Sequence, residues 1–177
     1  MVENMIEAKM KYFLIFILSF SSLFASEHRL LLSGFTIHEK SHKKNGGEYN
    51  GFNYGAGYEF TTFEHYNELY FATNITVIKD SHNKPQYTLS GSPNIRFKLS
   101  TNTAVSFGLA MFGMWKKDNF KKGVSEEEAE YDLLFGAAPL SSVYYKNFNV
   151  NFAYVPTISH DNIKTVGFAI MYFGWKF

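Results

Sequence analysis

Apolar and polar residues alternate with period two along most of the chain. Phe52, Tyr54, Ala56, Tyr58 and Phe60 alternate with Asn53, Gly55, Gly57 and Glu59, so one side of this stretch meets an apolar medium. Leu69, Phe71, Ile75 and Val77 interleave with Glu68, Tyr70, Asn74 and Thr76, and Val105, Phe107, Leu109 and Met111 with Ala104, Ser106, Gly108 and Ala110. Phe148, Val150, Phe152 and Tyr154 stand between Asn147, Asn149, Asn151 and Ala153, and the chain closes on Met171, Phe173, Trp175 and Phe177. Dividing the sequence at turn-like clusters predicts eight strands, near 29–38, 53–62, 67–79, 87–99, 103–115, 131–144, 148–157 and 164–177. The connections alternate in kind: 63–66, 100–102 and 145–147 are short, whereas 39–52, 80–86 and 116–130 are longer and polar, and 158–163 is a brief fourth. This pattern predicts an all-β fold, an eight-stranded antiparallel transmembrane β-barrel with short periplasmic turns and longer outer loops. Only closure lets such strands sit in hydrocarbon without an unpaired edge. The soluble alternative, a lipocalin-like barrel, would turn its apolar face inward instead.

The N-terminal segment changes the compartment. Lys9 and Lys11 precede an apolar run from Tyr12 to Phe24 that ends at Ala25, just before Ser26-Glu27-His28-Arg29. It reads as a secretory signal peptide over residues 1–25, with Met10 as a possible start, leaving 26–177 as the barrel domain. An uncleaved anchor is the weaker alternative, because a spanning helix needs about 20 apolar residues. With no cysteine, an exported chain has no disulfides, so backbone pairing and apolar burial must hold it together. A formal net charge of +1 argues against a nucleic-acid partner. The histidines lack ligand-like spacing, so neither a metal nor a soluble cofactor is expected.

If odd-numbered strands run outward, strand 1 delivers His38 to the outer rim, strand 3 delivers Asp80-Ser81, and strand 5 delivers Lys116-Lys117-Asp118-Asn119. A histidine beside a serine hydroxyl can act as general base for acyl transfer, with Asp80 orienting the imidazole. The plainer alternative is that all three are solvated residues at loop starts. Lys116, Lys117, Lys121 and Lys122, followed by Glu126-Glu127-Glu128 and Glu130, read either as a solvated loop or as contacts to anionic lipid phosphates and their bridging cations.

The mature chain resembles the outer-membrane lipid A palmitoyltransferase family PagP over nearly its whole length. The resemblance is carried by Phe35-Thr36-Ile37-His38, Tyr49-Asn50, Asn53-Tyr54-Gly55-Ala56-Gly57, Lys79-Asp80-Ser81-His82-Asn83-Lys84 and Lys117-Asp118-Asn119-Phe120. Ala138-Pro139-Leu140-Ser141-Ser142-Val143, Tyr154-Val155-Pro156 and the closing Phe173-Gly174-Trp175-Lys176-Phe177 follow in the same order and spacing. That ending also looks like the C-terminal signal of bacterial outer-membrane barrels.

The resemblance implies a monomeric enzyme of the Gram-negative outer membrane that moves a palmitoyl chain from the sn-1 position of a phospholipid to lipid A. It implies catalytic roles for His38, Asp80 and Ser81, and contacts to substrate from Lys117 and Asp118, where lysine replaces the family's arginine. It also implies an apolar upper lumen that holds one acyl chain. Gly55, Gly57, Ser90, Gly91 and Gly108 are then candidates for its lining, with Ser106 and Ala110, although barrel glycines also serve to relieve curvature. Pro156 corresponds to a lateral gate for lipids, with Ser33 at the partner position in strand 1. The amphipathic helix expected ahead of strand 1 is missing. A noncatalytic small barrel and a periplasmic lipid carrier stay open as alternative functions.

Overall fold

The computed structural model describes residues 27–38, 50–65, 68–80, 83–117, 131–156, 159–160, 163–164 and 167–177. Among the described residues there is no helix. The expected signal peptide, Ser81, Asp118 and most of the third outer loop lie outside them. Eight long strands are β1 (Glu27–His38), β2 (Gly55–His65), β3 (Leu69–Lys79), β4 (Pro85–Lys98), β5 (Thr103–Lys117), β6 (Tyr131–Tyr145), β7 (Phe148–Val155) and β10 (Phe168–Lys176). They form one closed antiparallel barrel in which β1 pairs with both β2 and β10. Ser159–His160 (β8) and Ile163–Lys164 (β9) pair with each other and, among the described residues, with no barrel strand. The sequence reading ran the last strand from 164, but a separate hairpin uses those residues and the barrel strand starts at Phe168. Likewise β7 ends at Val155, because Pro156 has no N–H to continue the ladder.

The alternation decides which medium the barrel occupies. Leu30, Leu32 and Ile37 on β1, Ile95 and Phe97 on β4, and Phe107, Leu109 and Met111 on β5 are exposed on the outside. Their neighbours in sequence, among them Arg29, Asn94, Arg96 and Ser106, are buried inside. Apolar residues outside and polar residues inside is the reverse of a soluble lipid-binding barrel, and burying the exposed row in hydrocarbon removes its cost in water.

Aromatic side chains mark two levels of this outer surface. Tyr87, Trp115 and Tyr131 form a contiguous row at one end, with ring centroids 5.4 and 5.0 Å apart. Phe97 and Phe107 pair at 6.4 Å, and Phe148 and Trp175 at 5.9 Å, at the other. Tyr87 and Phe97 are ten residues apart on β4, ~33 Å along the strand and ~25 Å along the axis at a tilt of about 40°, which is the height of a barrel's apolar band.

The half of the lumen near the short turns is filled by charge. Glu27 on β1 accepts from Arg29, from Arg96 of β4 at 3.2 Å and from Lys176 of β10 at 2.7 Å, and Arg29 also meets Glu59 of β2 at 3.5 Å. The Arg96 guanidinium lies 4.4 Å over the Tyr70 ring and 4.8 Å over that of Tyr144, whose hydroxyls are 2.7 Å apart. Further up, Ser142 donates to Asn151 at 2.6 Å and Ser90 to Asn74 at 2.8 Å. One carboxylate thus ties β1 to strands on both sides of the barrel. Deleting one member of a buried ionic cluster leaves the others unpaired at a cost of about 3 kcal/mol or more. We expect Glu27→Gln to lower the unfolding free energy of the vesicle-reconstituted barrel in urea by that order, whereas an unchanged value would mean that the cluster adds nothing to stability.

Candidate functional site at the outer rim

The odd-numbered strands β1, β3 and β5 all finish at one end of the barrel, so His38, Asp80 and Lys116–Lys117 share a rim. His38 lies opposite Phe168 of β10, on the inward side that it shares with Thr36, with the two rings 5.9 Å apart. Asp80 follows β3 and is 3% exposed. Its Oδ1 accepts from the backbone N–H of Lys84 at 2.9 Å, and its carbonyl accepts from Asn83 N–H at 2.9 Å. Asn83 adopts φ 61°, a left-handed conformation that asparagine tolerates better than most residues. Asp80 therefore closes the β3–β4 turn on itself.

One segment, residues 50–54, lies between β1 and β3 and is bonded to both. Thr36 N–H donates to Gly51 O at 2.8 Å, and Asn53 Nδ2 donates to Thr36 Oγ1 at 2.7 Å. On the other side Lys79 N–H donates to Tyr54 O at 2.6 Å, and Asn50 Nδ2 to Asn83 Oδ1 at 3.0 Å. His38 and Asp80 thus stand two strand spacings apart, roughly 10 Å, across a braced segment. Ser81, the third residue singled out in the sequence, lies outside the described residues.

Below this rim the inward face becomes apolar. Ile78 on β3, Phe112 and Met114 on β5, Leu134 on β6, Ala153 on β7 and Ile170 on β10 share the inward register. Apart from Ile78 these residues are half-exposed although they point into the barrel, whereas inward residues further down, such as Ser106, Asn149 and Asn151, are at most 2% exposed. The upper lumen is therefore open and greasy, and the lower lumen is filled and polar.

The small residues expected to line the slot divide into three groups. Gly55 and Gly57 face inward opposite Ile78 and Thr76, and Ser90 faces inward at 8% exposure, bonded to Asn74 where the polar layer begins. Gly91 does not line the lumen. It lies opposite Thr73 and the exposed Met111 on the outer face, where an added Cβ would come 2.8 Å from the Phe71 ring, because a strand's faces alternate and Ser90 takes the inward position. Gly108 is inward but serves the polar layer: a Cβ there would sit 2.1 Å from Asn94 Oδ1. Sequence reasoning missed Gly136, whose bare Cα receives the Phe112 ring across the β5–β6 ladder, with 2.7 Å from a built Cβ to the ring.

Two seams of the upper wall depart from regular ladder pairing. Pairing between β6 and β7 runs only from Tyr145↔Phe148 to Leu140↔Ala153 and stops at Pro139, which has no N–H to donate. Residues Tyr131–Pro139 of β6 continue upward without a β7 partner among the described residues, and Pro156 stands just past the end of β7. The β1–β2 ladder likewise ends at Leu32↔Ala56, next to the irregularity between Ser33 and Phe35, and gives way to the segment 50–54, held to β1 by the bridge Phe35↔Phe52 and by backbone hydrogen bonds from Asn53 N–H to Gly34 O at 3.1 Å and from Thr36 N–H to Gly51 O at 2.8 Å. Ser33 thus occupies an interrupted seam without any help from a proline.

Lys117 belongs to the outward register of β5, one step above Trp115 in the aromatic row, which is headgroup depth. Lys116 belongs to the inward register, and its Nζ lies 3.6 Å from Asp80 Oδ2. Period-two counting along β5 would have separated these neighbours, because Phe112, Met114 and Lys116 share one parity. Among the described residues no group of acidic, histidine or cysteine side chains could hold a metal ion.

An apolar-walled barrel whose lumen is charged below and apolar above defines a small membrane β-barrel. The chain matches the family model described as antimicrobial peptide resistance and lipid A acylation protein PagP over residues 21–171, and it belongs to that family. Among solved structures it is similar to the backbone structure of the Yersinia pestis outer membrane protein Ail in phospholipid bilayer nanodisc. That match has 11% identity and a TM-score of 0.40, covering 85% of this chain and 99% of that one. No curated protein sequence matches the chain significantly.

The two glycine environments predict opposite responses. Gly108→Ala forces a methyl onto a buried amide and the Pro93 carbonyl, and overpacking of this kind costs about 1–3 kcal/mol. Gly91→Ala meets only a ring on the lipid-facing side, which is free to rotate away. Urea unfolding from lipid vesicles should therefore separate the two variants, and equal midpoints would contradict the assignment of Gly108 to the packed layer.

Proposed function

We propose that this protein is an outer-membrane acyltransferase that moves a palmitoyl or similar chain from the sn-1 position of a phospholipid to lipid A. Family membership supplies lipid A acylation as the general activity. The observation that carries the finer reading is the polarity step inside the barrel, since an open apolar half-lumen ends at a rim bearing an imidazole and a buried carboxylate. One acyl chain lying along Met114, Leu134 and Ile170 would bring its ester to the level of His38 and Asp80. Water is displaced from the slot by the chain, which strengthens every polar contact made at its mouth.

In this reading His38 takes the proton from the attacking lipid A hydroxyl and returns it to the departing lysophospholipid oxygen as the ester bond breaks, and Asp80, across the mouth, stabilises the imidazolium that forms between the two steps. Ser81 contributes a hydroxyl next to Asp80 in the chain. Lys117, at headgroup depth, meets a lipid phosphate as a point charge, without the two-pronged contact of an arginine, and Asp118 follows it. Gly55, Gly57 and Ser90 line the slot. The interrupted β6–β7 seam between Pro139 and Pro156 serves as a lateral gate, because separating strands costs least where no ladder hydrogen bonds have to be broken. The protein acts as a monomer, reaches the outer membrane through the segment 1–25, and uses no cofactor.

Mass spectrometry of lipid A from cells producing the protein tests the reading. The expected result is lipid A carrying one additional palmitoyl mass, abolished by His38→Ala and strongly reduced by Ser81→Ala, with both variants still present as folded, heat-modifiable barrels. Unmodified lipid A in cells with a folded wild-type barrel would reject the acyltransferase reading in favour of a structural one.

A further inference from the structure

Asp80 is nearly sealed from solvent, and a sealed carboxylate needs both its hydrogen bonds and a countercharge. The turn satisfies Oδ1 through Lys84 N–H, which leaves Oδ2 directed into the barrel. There it faces the ammonium of Lys116 at 3.6 Å, with the two side chains only 4% and 12% exposed. Lys116 reaches this carboxylate across β4, whose Gln86 pairs with Ile78 on one side and with Lys116 itself on the other. The contact therefore joins β3 to β5 over the top of the intervening strand.

We infer that Lys116 is a positioning residue for Asp80, holding its carboxylate turned into the mouth of the lumen. This rests on the acyltransferase reading, which gives Asp80 its task. Two anchors then fix the carboxylate from opposite directions: the Lys84 N–H in the turn, and Lys116 from β5. The turn itself is pinned from a third side by the Asn50 to Asn83 hydrogen bond. A second acidic residue, Asp132, stands directly across the β5–β6 ladder from Lys116, so the test has to separate the two carboxylates. Lys117, its neighbour in sequence, faces outward to the headgroups and cannot take its place.

Kinetics and stability separate the possibilities. In purified, reconstituted protein, Lys116→Met should lower kcat by about 10- to 100-fold, the scale of a misplaced catalytic group, with KM for the phospholipid unchanged. Lys116→Arg should retain most of the activity, because it restores the charge. The effect of Lys116→Met on the urea midpoint should largely vanish in an Asp80→Asn background and persist with Asp132→Asn. A wild-type kcat in Lys116→Met, a raised KM alone, or coupling to Asp132 instead of Asp80 would each overturn the proposal. If the wild-type protein transfers no acyl chain, the acyltransferase reading fails, and the midpoints still decide whether Lys116 holds Asp80.

Discussion

A backbone N–H or C=O left unpaired in hydrocarbon costs several kcal/mol, so a sheet can stand in a bilayer only if its first and last strands find each other. Here β1 pairs with β10 from Arg29↔Lys176 to His38↔Phe168, and that closure sets everything else. Once the ring is shut, each side chain has two destinations, lipid or lumen. Strict alternation then sends Leu109 and Met111 outward while Gly108 and Ala110 turn inward. Among the described residues, the β6 stretch above Pro139 pairs with β5 but has no partner on its β7 side, and it falls on the half of the barrel that is open inside.

The lumen divides because charges and apolar groups cannot share one dry interior. Glu27, Arg29, Glu59, Arg96 and Lys176 pair with one another at the short-turn end, and the amide layer of Asn94, Asn149 and Asn151 caps them. Nothing charged has to enter the upper half until the rim, where Asp80 and Lys116 meet. A lipid tail thus finds its apolar environment directly beneath the polar groups proposed to act on its ester.

Much of this was legible in the sequence. Period-two alternation and the closing aromatics located the eight barrel strands to within a few residues at most ends, because lipid outside and a packed lumen inside punish any slip in register. The exceptions have local causes: β7 stops at Pro156, and 163–164 pair with 159–160 rather than with the barrel. The shared rim of His38 and Asp80 followed from strand direction alone. The charge cluster below was harder to see, since Glu27, Arg29, Glu59 and Arg96 are scattered over three strands and only registers bring them together. Gly91 is small like a lumen residue but has the parity of the outer face, and Lys116 belongs to a β5 that runs two residues past the expected end at 115.

The polarity step inside the barrel implies that an acyl chain enters the upper lumen and stops at the polar layer. Nuclear Overhauser contacts between the alkyl protons of a bound detergent or phospholipid and methyl-labelled protein test it most directly. The account predicts contacts from an alkyl chain to Met114, Leu134 and Ile170 inside the barrel, alongside those to the lipid-facing Leu109 and Leu133. Contacts confined to the outward-facing methyls, with the inward set silent, would contradict it.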